Sequence, residues 1–201
     1  MSRGDSARLF VAVDLPLEVR GQLASWGRLL ATSALTGRPA GPRPPMRALA
    51  EDSLHLTLCF LGSRPVAEIA PLSACLCENI TPVGELSIGA PLLLPPRRPR
   101  ALAVEIHDPE GELARLQRTT LAAVRRASGW AGGEGRGFRA HVTVARMPAD
   151  TRQMAPDQPL PPTPQLHFSP TSVSLYRSRL APEGASYEAL ASCPLTVREA
   201  E

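Results

Sequence analysis

Ser53-Leu54-His55-Leu56-Thr57-Leu58-Cys59-Phe60-Leu61-Gly62 has a near-copy in Phe138-Arg139-Ala140-His141-Val142-Thr143-Val144-Ala145-Arg146. Each holds a His-x-Thr tripeptide inside a run of apolar or β-branched residues, the composition of a buried strand. Side chains on a strand alternate between its faces, so a histidine and a threonine two residues apart point the same way. Leu54, Leu56, Leu58 and Phe60 then share the opposite face, as do Val142 and Val144. Each strand gives an apolar face to a core and sets an imidazole beside a hydroxyl on the other, which makes sense where that other face lines a cleft. A single His-x-Thr would read as an ordinary hydrogen-bonded histidine. Two copies on two apolar strands, using two of only four histidines, point to chemistry instead.

Outward from these strands, Arg8 to Asp14 is a short apolar strand, and Pro16 opens a helix with a stripe of Leu17, Leu23, Trp26 and Leu30. Residues 32–45 are rich in Gly, Pro, Ser and Thr and read as a loop. Gly62 is expected to close the first motif strand. A helix follows from Val66 to Asn79, with Pro71 tolerable only in its first turn. Glu85 to Leu94 and Ala101 to Ile106 read as strands joined by a stiff basic connector, Pro95-Pro96-Arg97-Arg98-Pro99-Arg100. Asp108-Pro109 signals a helix start, and Gly129 its end after the stripe Leu113, Leu116, Thr120, Leu121, Val124. A glycine-rich loop leads to the second motif strand, and an irregular proline-rich stretch follows Met147. Gln165 to Ser178 and Ser186 to Val197 close the chain as strands joined at a turn over Pro182-Glu183-Gly184. The pattern is α+β with antiparallel sheets. Two motif strands in successive halves imply two related lobes whose polar faces meet at a shared cleft, within a single domain spanning residues 1–201.

Hydrophobic residues make up 43% of the chain, enough for a sizeable core. No apolar run approaches the ~20 residues needed to span a bilayer. The N-terminal residues lack the apolar stretch of a secretory signal, so a cytoplasmic protein is expected; a monomer is expected as well. All 22 basic side chains are arginine, a bias that an alanine-, proline- and glycine-rich composition explains without function. The net charge of +3 is too small to argue for nucleic-acid binding by itself, so that case rests on where the arginines cluster. Cys59, Cys75, Cys77 and Cys193 read as free thiols. Cys75 and Cys77, two apart on a helix, point about 200° apart and cannot jointly grip a metal.

Near neutral pH, one histidine of a pair can accept a proton while the other donates one, which suits in-line displacement at phosphorus. Threonine hydroxyls two residues away can donate to phosphate oxygens as charge builds there. Metal-assisted hydrolysis is the rival, but neither motif strand carries Asp or Glu on its histidine's face. His107 and His167 read as surface residues at strand ends.

With both motifs and their flanks, the chain resembles the 2H phosphoesterase superfamily, and within it the RNA 2',3'-cyclic phosphodiesterases, also called 2'-5' RNA ligases. The resemblance runs over nearly the whole chain. It includes Arg8-Leu-Phe-Val-Ala, Leu54-His-Leu-Thr-Leu with Phe60-Leu-Gly, Arg97-Arg-Pro-Arg, Phe138 to Arg146, and Leu175-Tyr-Arg-Ser-Arg-Leu. It implies a bilobal fold with pseudo-twofold symmetry, no metal or other cofactor, and hydrolysis of an RNA terminal 2',3'-cyclic phosphate to a 2'-phosphate. Reversible 2'-5' ligation is the family's second activity. Carried over by position, His55 is the proton donor to the departing 3'-oxygen, His141 the proton acceptor from water, and Thr57 and Thr143 the phosphate-binding pair. Arg146 is a further candidate for phosphate, although its strand parity opposes that of His141 and Thr143 unless the strand ends or bulges at Met147. Phe10 and Tyr176 are candidates for stacking on a base, and Arg97, Arg98 and Arg100 for tracking an RNA backbone. Residues 46–53 and the long loop at 32–45 depart from the family pattern, which bears on substrate preference.

Two other functions fit the same residues. One keeps the chemistry but takes a small cyclic nucleotide such as ADP-ribose 1'',2''-cyclic phosphate; the other is a non-catalytic RNA-binding module. A basic cleft rim favours RNA and an uncharged one the small nucleotide, while a pure binder needs neither imidazole.

Overall fold

The apolar N-terminal run forms β1 (Ser6–Asp14), with Leu9, Val11 and Val13 in the core and Phe10 and Ala12 buried on the other face. The computed structural model describes residues 5–36, 46–132, 137–147, 160–181 and 184–196. α1 (Leu17–Thr36) starts directly after Pro16, whose carbonyl accepts the Arg20 N–H at 3.1 Å. Val19, Leu23, Trp26 and Leu30 form its buried stripe. Leu17 lies two residues before Val19, about 200° around the helix, and is 68% exposed, so it does not belong to that stripe. The helix also runs through residues 32–36, which the composition had suggested as loop; residues 37–45 of that segment lie outside the described residues.

β2 (Arg47–Ala48) and a 3-10 turn at Glu51–Ser53 lead to β3 (Leu56–Pro65), which carries the first motif. Gly62 does not end β3. It takes a positive φ of 73° inside the strand, a backbone shape open to glycine. A second 3-10 turn, Val66–Glu68, precedes α2 (Ile69–Glu78), with Pro71 in its first turn. β4 (Leu86–Leu94) and β5 (Ala101–His107) form a hairpin. Residues 95–100 connect them as a turn, closed by the Arg100 N–H donating to the Leu94 carbonyl at 2.8 Å.

α3 (Glu112–Ser128) begins later than Asp108-Pro109 suggested, because a turn with Gly111 at φ 67° intervenes. Asp108 still caps the helix, accepting the Glu112 N–H at 2.9 Å. Gly129, at φ 61°, ends it by donating to the Arg125 carbonyl. β6 (His141–Arg146) carries the second motif, followed by β7 (His167–Phe168), β8 (Ser172–Ala181) and β9 (Gly184–Pro194). The closing strands are thus three, since the chain between β7 and β8 leaves the ladder. The β8–β9 hairpin turns at residues 182–183, outside the described residues.

The nine described strands belong to one antiparallel sheet in the order β7-β4-β5-β6-β3-β1-β8-β9, with β2 beside β6. The motif strands β3 and β6 meet at its centre and are joined by one register pair, Leu56 with Val142. Each half has a helix that crosses over. α1 follows β1 yet packs on β2 and β6, whereas α3 follows β5 and packs on α2 and β3. The core thus lies on the helix-covered face, leaving the other face of β3 and β6 for a cleft.

Two cysteines depart from the free-thiol expectation. Cys77 on α2 and Cys193 on β9 are disulfide-bonded, with Cα atoms 5.3 Å apart across a sequence separation of 116. α2 lies against β8 and β9, and this packing brings together two residues whose spacing gives no hint of it. Cys59 and Cys75 are free, and burial pushes the Cys59 thiol up to about 12, leaving it an inert core residue. No helix among the described residues is long and apolar enough to cross a membrane.

Candidate active site

The single pair Leu56–Val142 fixes the geometry of the motif residues. In an antiparallel register, one step either way sets His55 across from Thr143 and Thr57 across from His141. The two histidines are then diagonal neighbours, roughly 7–8 Å apart in a regular ladder, a gap that admits one phosphate. Leu56 and Val142 are fully buried, while His55, Thr57, His141 and Thr143 are half-buried along a cleft of about 800 Å³.

Each motif strand bulges one residue beyond its threonine. On β3, Ala12 pairs with Thr57 and Val11 with Cys59, which leaves Leu58 without a partner in the β1 register. On β6, Ala103 pairs with Thr143 and Leu102 with Ala145, skipping Val144. Two consecutive residues then enter the core on each strand, Leu58 with Cys59 and Val144 with Ala145. The alternation inverts beyond the bulge. Phe60, expected in the core, is instead 63% exposed and lines the cleft; Arg146 reaches the same cleft on the other strand. The bulge that brings Arg146 there is at Val144, earlier than Met147. The Val144 carbonyl is satisfied by the Leu49 N–H at 2.8 Å, and α1 approaches it at Gly27, where a Cβ would stand 3.0 Å from that oxygen. Phe60 and Arg146 therefore occupy equivalent places in the two halves.

Each histidine is held by the backbone two residues before it. The Arg139 carbonyl lies 2.7 Å from His141 Nδ1, and since a carbonyl only accepts, Nδ1 carries the hydrogen and Nε2 is the nitrogen with a lone pair to offer. His55 likewise bonds the Ser53 backbone. The surroundings differ, however. Burial lowers the His55 imidazole to about 4; the Ser53 bond and the negative charge of Asp14 oppose that shift, while Arg146 and His141 add to it.

An aromatic cluster backs His55. The Phe10 ring lies 4.8 Å from His55, stacks on Tyr176 at 5.1 Å and meets Tyr187 edge-on at 5.2 Å. Phe10 touches the cleft but is only 2% exposed, so it packs behind His55 and offers little open face. Tyr176 is not among the cleft-lining residues; its hydroxyl donates to Asp14 at 2.7 Å. Tyr187 and Phe60 do line the cleft, as do Arg8, Arg47, Arg100, Arg139 and Arg146. Of the basic connector, Arg100 lines the cleft, whereas Arg97 and Arg98 are exposed in the β4–β5 turn and do not line it. Among the described residues, no carboxylate lines the cleft, and no three His, Cys, Asp or Glu side chains gather as a metal site would require. His107 and His167 are exposed, and His167 pairs with Glu85 at 3.3 Å.

Asp14, Arg8, Arg47, Arg139, Phe60 and Tyr187 were missed from sequence. Arg8 shares strand parity with Phe10, and Arg139 with His141, so those two carried a readable signal. Phe60 was hidden by the bulge, and Arg47 and Tyr187 by long-range pairing.

A family model, the 2'-5' RNA ligase superfamily, matches residues 33–181. The chain belongs to the 2'-5' RNA ligase superfamily. Escherichia coli RNA 2',3'-cyclic phosphodiesterase is 46% identical over 55 residues, which is 27% of this chain and 26% of that protein. Over nearly the whole chain the fold matches the crystal structure of E. coli LigT complexed with 3'-AMP. The TM-score is 0.74 at 26% identity, covering 96% of this chain and 99% of the other. TT0787 of Thermus thermophilus matches with a TM-score of 0.71 at 28% identity, over 94% and 97% of the two chains. Within the superfamily, then, this chain has the α+β fold of a 2H phosphoesterase.

Proposed function

We propose that the protein hydrolyses the terminal 2',3'-cyclic phosphate of RNA to a 2'-phosphate by general acid–base catalysis between two histidines. The observation that carries this reading is the His-Thr quartet about Leu56–Val142 in a cleft lined by five arginines. Its relatives' names and fold support the same class of reaction.

His141, with Nδ1 committed to the Arg139 carbonyl, takes a proton from water through Nε2. The water oxygen bonds to phosphorus as the bond from phosphorus to the 3'-oxygen breaks. His55 delivers its proton to that departing oxygen, and the phosphate stays on the 2'-oxygen. Thr57 and Thr143 donate to the non-bridging oxygens, where negative charge grows. Arg146 lies close enough to influence His55 electrostatically and adds a fixed positive charge. Phe60, exposed across from Arg146 in the pseudo-twofold arrangement, offers a face for the terminal base. Ligation is the same displacement with an RNA 5'-hydroxyl in place of water: the 5'-oxygen bonds to phosphorus, the bond to the 3'-oxygen breaks, and a 2'-5' linkage remains.

The arginine-lined rim favours an RNA end over a small cyclic nucleotide. The test incubates the protein in EDTA with a 2',3'-cyclic-phosphate oligonucleotide and, separately, with ADP-ribose 1'',2''-cyclic phosphate. The expected outcome is 2'-phosphate product from the oligonucleotide with undiminished rate in chelator. Turnover restored only by added metal, or confined to the small nucleotide, would displace this reading.

A further inference from the structure

Asp14 ends β1 on the same face as Ala12 and Phe10, one register step beyond the pair Val13–Leu56, and so beside His55. Its counterpart in the other half is Glu105, which pairs directly with His141. The two carboxylates are held in different ways. Glu105 accepts from Arg139 Nη2 at 3.1 Å and Nε at 3.2 Å, so a guanidinium neutralises it. Among the described residues, the Asp14 carboxylate accepts only from hydroxyls: Ser172 at 2.6 Å and Tyr176 at 2.7 Å, with Ser174 as the third. These three stand at alternate positions of β8, directly across from Asp14, Ala12 and Phe10. They form a comb of donors on one face. Hydroxyls orient a carboxylate and satisfy its lone pairs, yet they leave its charge in place.

We propose that Asp14 is a positioning residue for His55: the Ser172–Ser174–Tyr176 comb fixes its carboxylate as the counter-charge that lets the buried His55 ring carry the proton it must donate. The inference rests on the acid–base reading above and deepens it, because it accounts for why one of two like histidines is the acid. The Phe10 ring packs against both Tyr176 and His55, whose own rings lie 6.0 Å apart, and so fixes the spacing of the group. Asp14 is the anion acting on His55 and favours its charged form, whereas Arg146 and His141 from β6 act against it. Tyr187 from β9 meets the ring edge-on at 5.0 Å, and Arg20 from α1 acts on the Tyr176 hydroxyl. Burial keeps the Tyr176 phenol neutral by pushing its pKa up, and the bond to Asp14 adds to this, so it remains a donor.

The test is an NMR titration of the histidine rings in the full chain, run beside a pH profile on a 2',3'-cyclic-phosphate oligonucleotide. In Asp14→Asn, His55 should titrate lower by at least roughly half a unit with His141 unmoved. Its kcat should fall ~5-fold or more at pH 7, with the alkaline limb displaced to lower pH and KM little changed. Asp14→Glu, which restores the charge, should recover part of the loss. A folded Asp14→Asn protein with His55 unmoved overturns the proposal, whatever its activity. Should Asp14→Asn fail to fold, Tyr176→Phe decides. Removing one donor loosens the carboxylate that the comb fixes, so His55 should titrate lower, and no shift or an upward one counts against the role. Wild-type protein inert toward the cyclic phosphate would sink the functional reading, while the titration would still judge Asp14.

Discussion

In the free protein, burial leaves His55 uncharged at neutral pH, yet its proposed role is to deliver a proton. The substrate itself can resolve this, because an anion between the histidines favours their charged forms. A group whose pKa is low in the free protein and higher in the complex binds more protons in the complex, so binding takes up a proton and tightens as pH falls. Sulfate, dianionic throughout this range, tests that sign without titrating itself. Its affinity should rise from pH 8 towards pH 5, and calorimetry in two buffers of different ionisation enthalpy should show proton uptake. Binding that is independent of pH and buffer would remove the recharging step. For turnover, the same argument moves the kcat profile alkaline relative to that of kcat/KM. His55→Ala and His141→Ala should each lower kcat by at least ~10² with unchanged melting temperature. Thr57→Val and Thr143→Val, which keep shape and lose one donor, should cost less. A histidine variant at near wild-type rate would exclude that residue from the reaction.

At the level of elements, the two bulges decide which side chains meet the substrate. The motif strands and their His-Thr faces were legible in sequence because alternation holds from Leu54 to Thr57 and from His141 to Thr143. It fails one residue later in both, where Leu58 and Val144 drop out of register with β1 and β5. A bulge depends on how the neighbouring strand pairs, which no local pattern encodes. Phe60 was therefore assigned to the core, and Arg146 could be brought to the cleft only by supposing a bulge. Replacing Phe60 by Ala should leave stability intact, since the ring is 63% exposed, and remove about 1–3 kcal/mol of base stacking. That loss should appear as a roughly 5- to 150-fold rise in KM with kcat nearly kept. Unchanged KM would take the base elsewhere. The link between α2 and β9 was equally invisible, because Cys77 and Cys193 are 116 residues apart in sequence. Thiol titration of the denatured, unreduced protein should find two reactive cysteines of the four, and reduction should lower unfolding stability by about 2–4 kcal/mol. Four reactive thiols would rule the bond out.

The molecule as a whole carries little net charge, +3, but distributes it unevenly. Five arginines drawn from β1, β2, β6 and the segments before β5 and β6 converge on one cleft. Arg100 and Arg146 were legible as candidates and Arg8 and Arg139 carried a parity signal, but only the antiparallel order of the sheet gathers them with Arg47. A mononucleotide presents its reacting phosphate to the His-Thr quartet and has no further backbone to meet the outlying Arg8, Arg47 and Arg100. An RNA end extends past the quartet, and each phosphate it sets against an arginine releases counterions. On single strands that release contributes about 0.7 to the salt slope per phosphate neutralised. Three such contacts give a slope of about 2 in log KM against log salt for an oligonucleotide, and a much smaller one for a cyclic mononucleotide. Arg8→Gln and Arg100→Gln should each reduce the oligonucleotide slope by ~0.7 and leave mononucleotide turnover nearly unchanged, because neither meets the reacting phosphate. Equal slopes for the two substrates would mean that only the quartet and Arg146 engage the ligand. The small cyclic nucleotide would then be the better description of what the cleft accepts.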